Sequence, residues 1–470
     1  MDGFEEEVLR RLPLAQASLS IFAYVLSEPF LDSVFEEHRR RCYEDLLTFP
    51  TLLYLVRDAL LIHEGRGLPS FERAAETGEL PVLIRSVYPK LARMEIAVSK
   101  ALLRQSSLKM IDLFEHSHTP VPQSLQAFQV VAFDGKTLKG VRRQLKDLRP
   151  LQGKLLGGKL LVAQDVRTGL ALAMDCCEDG DRNDVPLVPD MVKQVRGMFQ
   201  THKLWMGDRQ FCDLNLMGLL SLDQDHFLIR LNRTLTFTPD PARPATEGLD
   251  SQGRSYRQEW GWVGGKKDKR RRYVRKITLW RPEQDDDDVI LLSDLLDETL
   301  YPASDLLDAY LLRWGIEQMF QTVTEVFSLR QLIGCTPKAN IFQGSLCLVI
   351  YNAIQVMRSY IATAGKVTPQ QVSAAKLFED VQEELIAQSK LGSAEAIIEA
   401  TEQTKTQPQM KQLLHELLNN RWQERWLKTP TNIRHTRGRT QRTKSAKTSV
   451  FKVLEQHRAK RRAGQNRQRR

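Results

Sequence analysis

Three acids in apolar surroundings could do chemistry: Asp134 in VVAFDGKTLKG, Asp208 in LWMGDRQF and Glu317 in YLLRWGIEQMFQTVT. A carboxylate taken into such a setting needs a proton, a cationic partner or a metal. Three at one point repel, because like charges a few ångströms apart oppose ionisation. Two Mg²⁺ ions about 3.5–4 Å apart, held by hard oxygen ligands, remove that conflict and perform phosphodiester chemistry. One ion activates the attacking oxygen and the other stabilises the leaving one. Each acid also has a plain structural reading. Asp134–Gly135 fits a turn, Asp208–Arg209 a local ion pair, and Arg313–Glu317 an i,i+4 pair on a wet helix face. The combination of all three, in order on two strands and a helix, favours the metal reading.

The elements that must position these acids are legible in the periodicity. Leu312, Ile316, Met319, Phe320 and Val323 predict a helix over Tyr310–Thr324 with one core face. At about 100° per residue, Tyr310, Arg313, Glu317 and Thr324 share an adjoining stripe roughly 60° wide. FQVVAFDG predicts a buried strand that ends at Asp134, and KLWMGDRQF a second that ends at Asp208. Between them, KLLVAQDVRTGLALAMD reads as a hairpin turning at Asp165–Gly169, and DVPLVPDMVKQVRGMF as a helix with Asp184 as its N-cap. CDLNLMGLLSL then predicts a helix and HFLIRLN a strand. The fold class expected is α/β with a mixed sheet.

The domain organisation follows. Residues 1–120 are helical, with a linker at HTPVPQ. A core runs over 125–232 and resumes over 298–365, interrupted by a β-rich insertion at 233–297. Helices fill 366–427, and 428–470 is a basic tail expected to be disordered when free. The chain carries +10, unevenly: residues 421–470 hold 17 Lys/Arg against two acids, while the other 420 hold 51 basic and 56 acidic residues. A mildly acidic body with a cationic tail suits nucleic acid, with steep salt dependence; a solubilising tail is the alternative.

The six cysteines include an adjacent pair, Cys176 and Cys177, and no zinc spacing. That pattern fits a reduced, intracellular protein. The charged start MDGFEEEVLRRL does not fit a signal peptide. No apolar run is expected to reach the roughly 18 residues that span a bilayer, so no membrane partner is expected.

The three acidic segments together resemble the DDE transposases of bacterial insertion sequences, in the group with a β-rich insertion before the last acid. That group carries a signature of Tyr, two residues, Arg, three residues, Glu, six residues, Lys. Tyr310, Arg313 and Glu317 match it in spacing, and Thr324 stands at the lysine position. The resemblance implies an RNase H-like core in which Asp134, Asp208 and Glu317 bind two Mg²⁺, with Mn²⁺ able to substitute. It implies cleavage at element ends, strand transfer into target double-stranded DNA, and a homodimer in a bacterial, nucleoid-associated setting. Arg313 and Tyr310 would contact the phosphate backbone or orient the carboxylates. Thr324 can donate a hydrogen bond to phosphate but brings no charge, and Arg330 is the nearby basic residue expected to compensate. Two other readings stay open: an inactive or repurposed DNA-binding protein, and an RNase H-like nuclease without strand transfer.

Other features carry two readings each. Lys136 and Lys139 follow Asp134 and could touch DNA phosphate or sit in a solvated loop; Arg209 is placed with them as a DNA contact. KKDKRRRYVRK, Lys266 to Lys276, could track a DNA backbone or form an exposed hairpin. Trp260, Trp262 and Trp280 flank it, and core packing is the expectation for each, although relatives of the resembled group stack a flipped base on an insertion aromatic. Asp285 to Asp288 read as a solvated turn, His116 and His118 as surface residues, and GKLLGGKL, with Leu160 where Ser or Thr is required, is not a phosphate loop.

Overall fold

A computed structural model describes residues 11–40, 45–115, 120–280, 288–327, 329, 331–391, 404–428 and 446–468. Cys42, His116, His118, Asp285 to Asp287, Arg330 and tail residues 429–445 lie outside the described residues.

Among the described residues six helices precede the sheet: α1 (Pro13–Val25), α2 (Glu28–His38), α3 (Phe49–Leu61), α4 (Gly67–Glu76), α5 (Val87–Arg93) and α6 (Ile96–Leu113). Proline stands in the first turn of α1, α2 and α3, where its missing N–H costs nothing. Thr48 caps α3 by accepting from the Thr51 N–H.

Strand β1 (Gln129–Lys139) lies at the centre of the first half of the sheet. On one side β2 (Lys154–Asp165) runs antiparallel to it, followed by β3 (Ala171–Cys177); on the other, β4 (Lys203–Gly207) and β5 (His226–Arg230) run parallel. The order β3-β2-β1-β4-β5 is that of an RNase H-like mixed sheet. Val130 to Phe133 are all buried because both faces are covered. Val131, Phe133 and Trp205 face α7 (Val188–Arg196) and α8 (Leu214–Leu220). Ala132 and Met206 face α9 (Ala303–Leu312) through Leu306, Leu307 and Tyr310.

The 233–297 segment forms β6 (Phe237–Pro239), β7 (Thr246–Leu249), β8 (Ser255–Val263), β9 (Arg272–Leu279) and β10 (Val289–Ser293). It continues the core sheet, because β10 pairs antiparallel with β5 and with β9. The basic run Lys266–Lys276 makes the β8–β9 turn and the start of β9. Arg275 is fully buried against Gln258 and the Tyr301 carbonyl, and Lys276 pairs with Glu259 at 2.5 Å, so these two charges face inward. Trp260 is core, as expected. Trp280 is about one-third exposed.

After α9 come α10 (Trp314–Glu325), α11 (Pro337–Ala364), α12 (Ala374–Leu391) and α13 (Gln407–Leu418). Helix α11 is long and apolar enough to cross a membrane, contrary to the expectation from the sequence; its apolar stretch is wholly buried here as the central core helix. The described cysteines are all free thiols.

Two further expectations are corrected. The tail forms β11 (Lys447–Ser449), which pairs parallel with the edge of β2, and α14 (Val450–Gln468). Averaging over about 40 mostly polar residues hides the short apolar group Val450, Val453 and Leu454 that docks on the core. Asp184 does not cap a helix. Its carboxylate meets the Lys159 ammonium at 3.1 Å in the space beneath Gly135, and a Cβ on Gly135 would come 2.4 Å from the Asp184 Cγ.

Candidate active site

Asp134 and Asp208 leave neighbouring parallel strands at the same level. The β1–β4 register runs through Ala132↔Met206, and each aspartate lies two residues further on. Alternation then turns both toward the face of Ala132 and Met206, where α9 packs. Asp134 is not the end of its strand, as expected from the sequence. β1 continues to Lys139 against β2, and only its pairing with β4 stops before Asp134. The sequence misplaced the end because Asp-Gly reads as a turn, whereas Gly135 is there to admit Asp184.

The helix carrying Glu317 is divided at Arg313. The Arg313 N–H donates to the Tyr310 carbonyl and the Ile316 N–H to the Arg313 carbonyl, so the chain tightens to i→i−3 bonds between α9 and α10. Tyr310 is buried, and its hydroxyl donates to the Gly207 carbonyl at 3.4 Å, next to Asp208. Burial pushes its pKa up to about 12. The hydroxyl's bond to Gly207 ties α9 to the end of β4.

Arg313 is 4 % exposed and donates from Nη2 to Glu317 Oε1 at 2.8 Å. The intrahelical pair therefore forms, but with its cation buried instead of on a wet face. Nε and Nη1 are buried and have no hydrogen-bond partner. Burial opposes the guanidinium charge, yet Tyr310, Glu317 and Asp208 outweigh it and raise the Arg313 pKa.

The three acids share one electrostatic environment. Burial pushes the Asp134 carboxyl up to about 6. The Gly135 N–H and Arg313 hold it down, and Glu317 and Asp208 push it up. Asp134 accepts from the Gly135 N–H at 2.7 Å, and Asp208 from the Arg209 N–H at 2.7 Å. Gln210, which sequence reasoning missed, reaches from beyond β4 to Asp134 at 3.4 Å. Oxygen-only donors fit a hard divalent cation in type. In arrangement they are not assembled: among the described residues no three His, Cys, Asp or Glu side chains form a group able to hold a metal ion. Glu317 is held by Arg313 in this state.

A cleft of about 800 Å³ opens beside this cluster, lined by Lys136, Lys139, Arg143, Lys154 and Thr324 and by no acid. Lys136 lies 5.7 Å from the Phe320 ring. The Thr324 hydroxyl donates to the Phe320 carbonyl at 2.5 Å, so its one hydrogen is committed within the helix and not offered to phosphate. Arg209 is exposed, and its guanidinium makes no ion pair with Asp208. Trp314, 54 % exposed at the head of α10, was also missed; a large aromatic flanking the Arg-Glu pair was the available signal.

Residues 126–353 match the family model described as Transposase DDE domain, a segment holding Asp134, Asp208, Tyr310, Arg313, Glu317 and Thr324. Among solved structures the chain is similar to the piggyBac transposase in a cryo-EM structure of its synaptic complex with hairpin DNA. Identity is 12%, 88% of each chain is covered, and the TM-score is 0.40. No curated protein matches the chain.

Proposed function

We propose that this chain, with its transposase DDE domain, is a transposase that cuts DNA at the ends of a bacterial insertion sequence and joins those ends to target DNA. One observation carries the reading: Arg313 is buried, is coupled electrostatically to Asp134, Asp208 and Glu317, and keeps two nitrogens unpartnered. A buried guanidinium with open donors suits a phosphate, which it can engage with two parallel bonds.

Asp134, Asp208 and Glu317 would hold divalent ions, Mg²⁺ or Mn²⁺. Such ions supply charge that activates an attacking oxygen and stabilises a leaving one. Glu317 joins them only on leaving Arg313, so the helix exchanges its internal pair for a phosphate on Arg313 and a ligand role for Glu317. Tyr310 keeps α9 fixed on Gly207 during that exchange. Lys136 and Lys139, projecting from β1 beside Thr324, supply the positive charge that Thr324 lacks. Two element ends are held by a homodimer.

A second reading, a DNA-binding protein without catalysis, draws on the closed Arg313–Glu317 pair and the unassembled acids. One assay separates them: double-stranded DNA from the flanks of the gene, incubated with wild type and with Glu317→Gln in Mg²⁺ or Mn²⁺. Joined products from wild type, at least about 10²-fold reduced in the variant with DNA binding retained, are expected. Cuts without joining indicate a nuclease. Equal product from both proteins removes Glu317 from the chemistry, and no product from either leaves the binder.

A further inference from the structure

Behind the catalytic helix lies a second cationic site that the proposed reaction does not use. A cavity of about 380 Å³ is enclosed by the β2–β3 turn, α10, α11, the start of α12 and Lys428. On α10 its wall is Gly315, Gln318, Gln321, Thr322 and Glu325. Gln321 projects about 40° around the helix from Glu317 and the others about 80–160°, so the cavity lies mainly on the side of the helix away from Glu317.

Arg358 on α11 is 9 % exposed and lines this cavity. Its Nε has no hydrogen-bond partner, and no ion pair to it exists among the described residues. One turn earlier the Gln355 amide, 1 % exposed, leaves Nε2 unpartnered in the same wall. Lys428 is held at the mouth by its N–H, which donates to the Gln371 carbonyl at 2.8 Å. The residue is exposed as a whole, but its ammonium turns toward the cavity, where burial and Arg358 lower its pKa to about 8. Two cations thus line one cavity, and among the described residues neither makes an ion pair. Among the described lining residues the one acid is Glu325, which is exposed and accepts from Gln321. A buried arginine without a counter-charge is costly unless something supplies one.

We propose that this cavity binds a phosphate group. A planar guanidinium, a mobile ammonium and an amide N–H₂ converging from two sides offer donors to several oxygens of one tetrahedral anion. The phosphate would come either from a nucleic-acid backbone or from free phosphate. Because α10 forms one wall, occupancy braces the helix that carries Glu317. The inference needs neither metal nor DNA cleavage and stands if the transposase reading fails.

Thermal unfolding of the full chain in inorganic phosphate, against chloride at equal ionic strength, tests it with wild type, Arg358→Gln and Lys428→Ala. Wild type should gain about 2 °C or more, saturably. Both variants should lose that gain, and Arg358→Gln should be no less stable than wild type in chloride, since it removes an uncompensated buried charge. Lys428→Ala, at an exposed position, keeps the test valid if Arg358→Gln does not fold. Equal responses of wild type to phosphate and chloride, or a full gain retained in Lys428→Ala, would overturn the site. Fluorescence anisotropy with a short duplex then separates the sources: weaker binding by Lys428→Ala points to the DNA backbone, and unchanged binding beside a lost phosphate response points to free phosphate.

Discussion

Asp134 shows what burying a carboxylate beside two other acids costs the chain. Its carboxyl keeps a proton up to about pH 6 in the folded state, against an ordinary 3.8, chiefly through burial. The folded state therefore binds more protons than the unfolded state between about pH 4 and 6, and stability falls as pH rises across that window. At pH 7.5 the ionised group costs the metal-free protein up to about 3 kcal/mol. In chelator, Asp134→Asn should raise the unfolding free energy by up to that amount and flatten the slope between pH 4 and 6, while abolishing DNA cleavage. Denaturant titration at several pH values measures it; a variant less stable than wild type at pH 7.5 would show that the carboxylate is not strained. The acids themselves were legible because an acid inside an apolar run is rare and needs a reason. The burial of Arg313 was not, because it depends on how α9 seats against β4, about 100 residues away in sequence, and the Gln210 contact was not, because it joins β1 to the turn after β4, 76 residues on.

At the scale of elements, the strands, the hairpin and the helical start could be read from period and turn residues, and their order identified the mixed sheet. What escaped was pairing over long separations. Nothing in residues 233–297 says that β10 will lie on β5 and extend the core sheet, and β11 is three residues in a polar tail. Strand β11 covers the β2 edge: Lys447, Thr448 and Ser449 pair with Lys154, Leu155 and Leu156, and Val450 is fully buried just beyond. An open edge of unpaired backbone groups is what such a strand removes. Val450→Asp would bury an unpaired carboxylate, costing about 2–4 kcal/mol, and should release β11 and α14 together. Limited trypsin digestion should then cut residues 447–468 much faster in the variant than in wild type, with a lower melting temperature for the rest. Equal cutting of both proteins would mean that the segment does not dock.

Over the whole molecule, the docked tail changes what the charge distribution can do. A disordered tail of +14 over residues 428–470 would raise DNA affinity without direction, whereas β11 brings Lys447 into register with Lys154, one of the residues lining the basic cleft. The cleft and the base of α14 therefore meet at one edge of the sheet, and α14 presents Arg458, Lys460, Arg461 and Arg462 to solvent beyond it. Each phosphate contact contributes about 0.9 to the slope of log K against log salt. Replacing Lys136, Lys139 and Lys154 with alanine should lower the slope by about 2–3, and replacing the four exposed α14 cations by about 3–4. If one DNA path crosses both, the combined variant loses the sum on a duplex of about 20 base pairs, while a duplex half that length loses only one share. A separate, undirected tail would give the same loss at both lengths. Anisotropy titrations with the two duplexes across a salt series therefore decide whether the tail is a tether or an extension of the catalytic cleft.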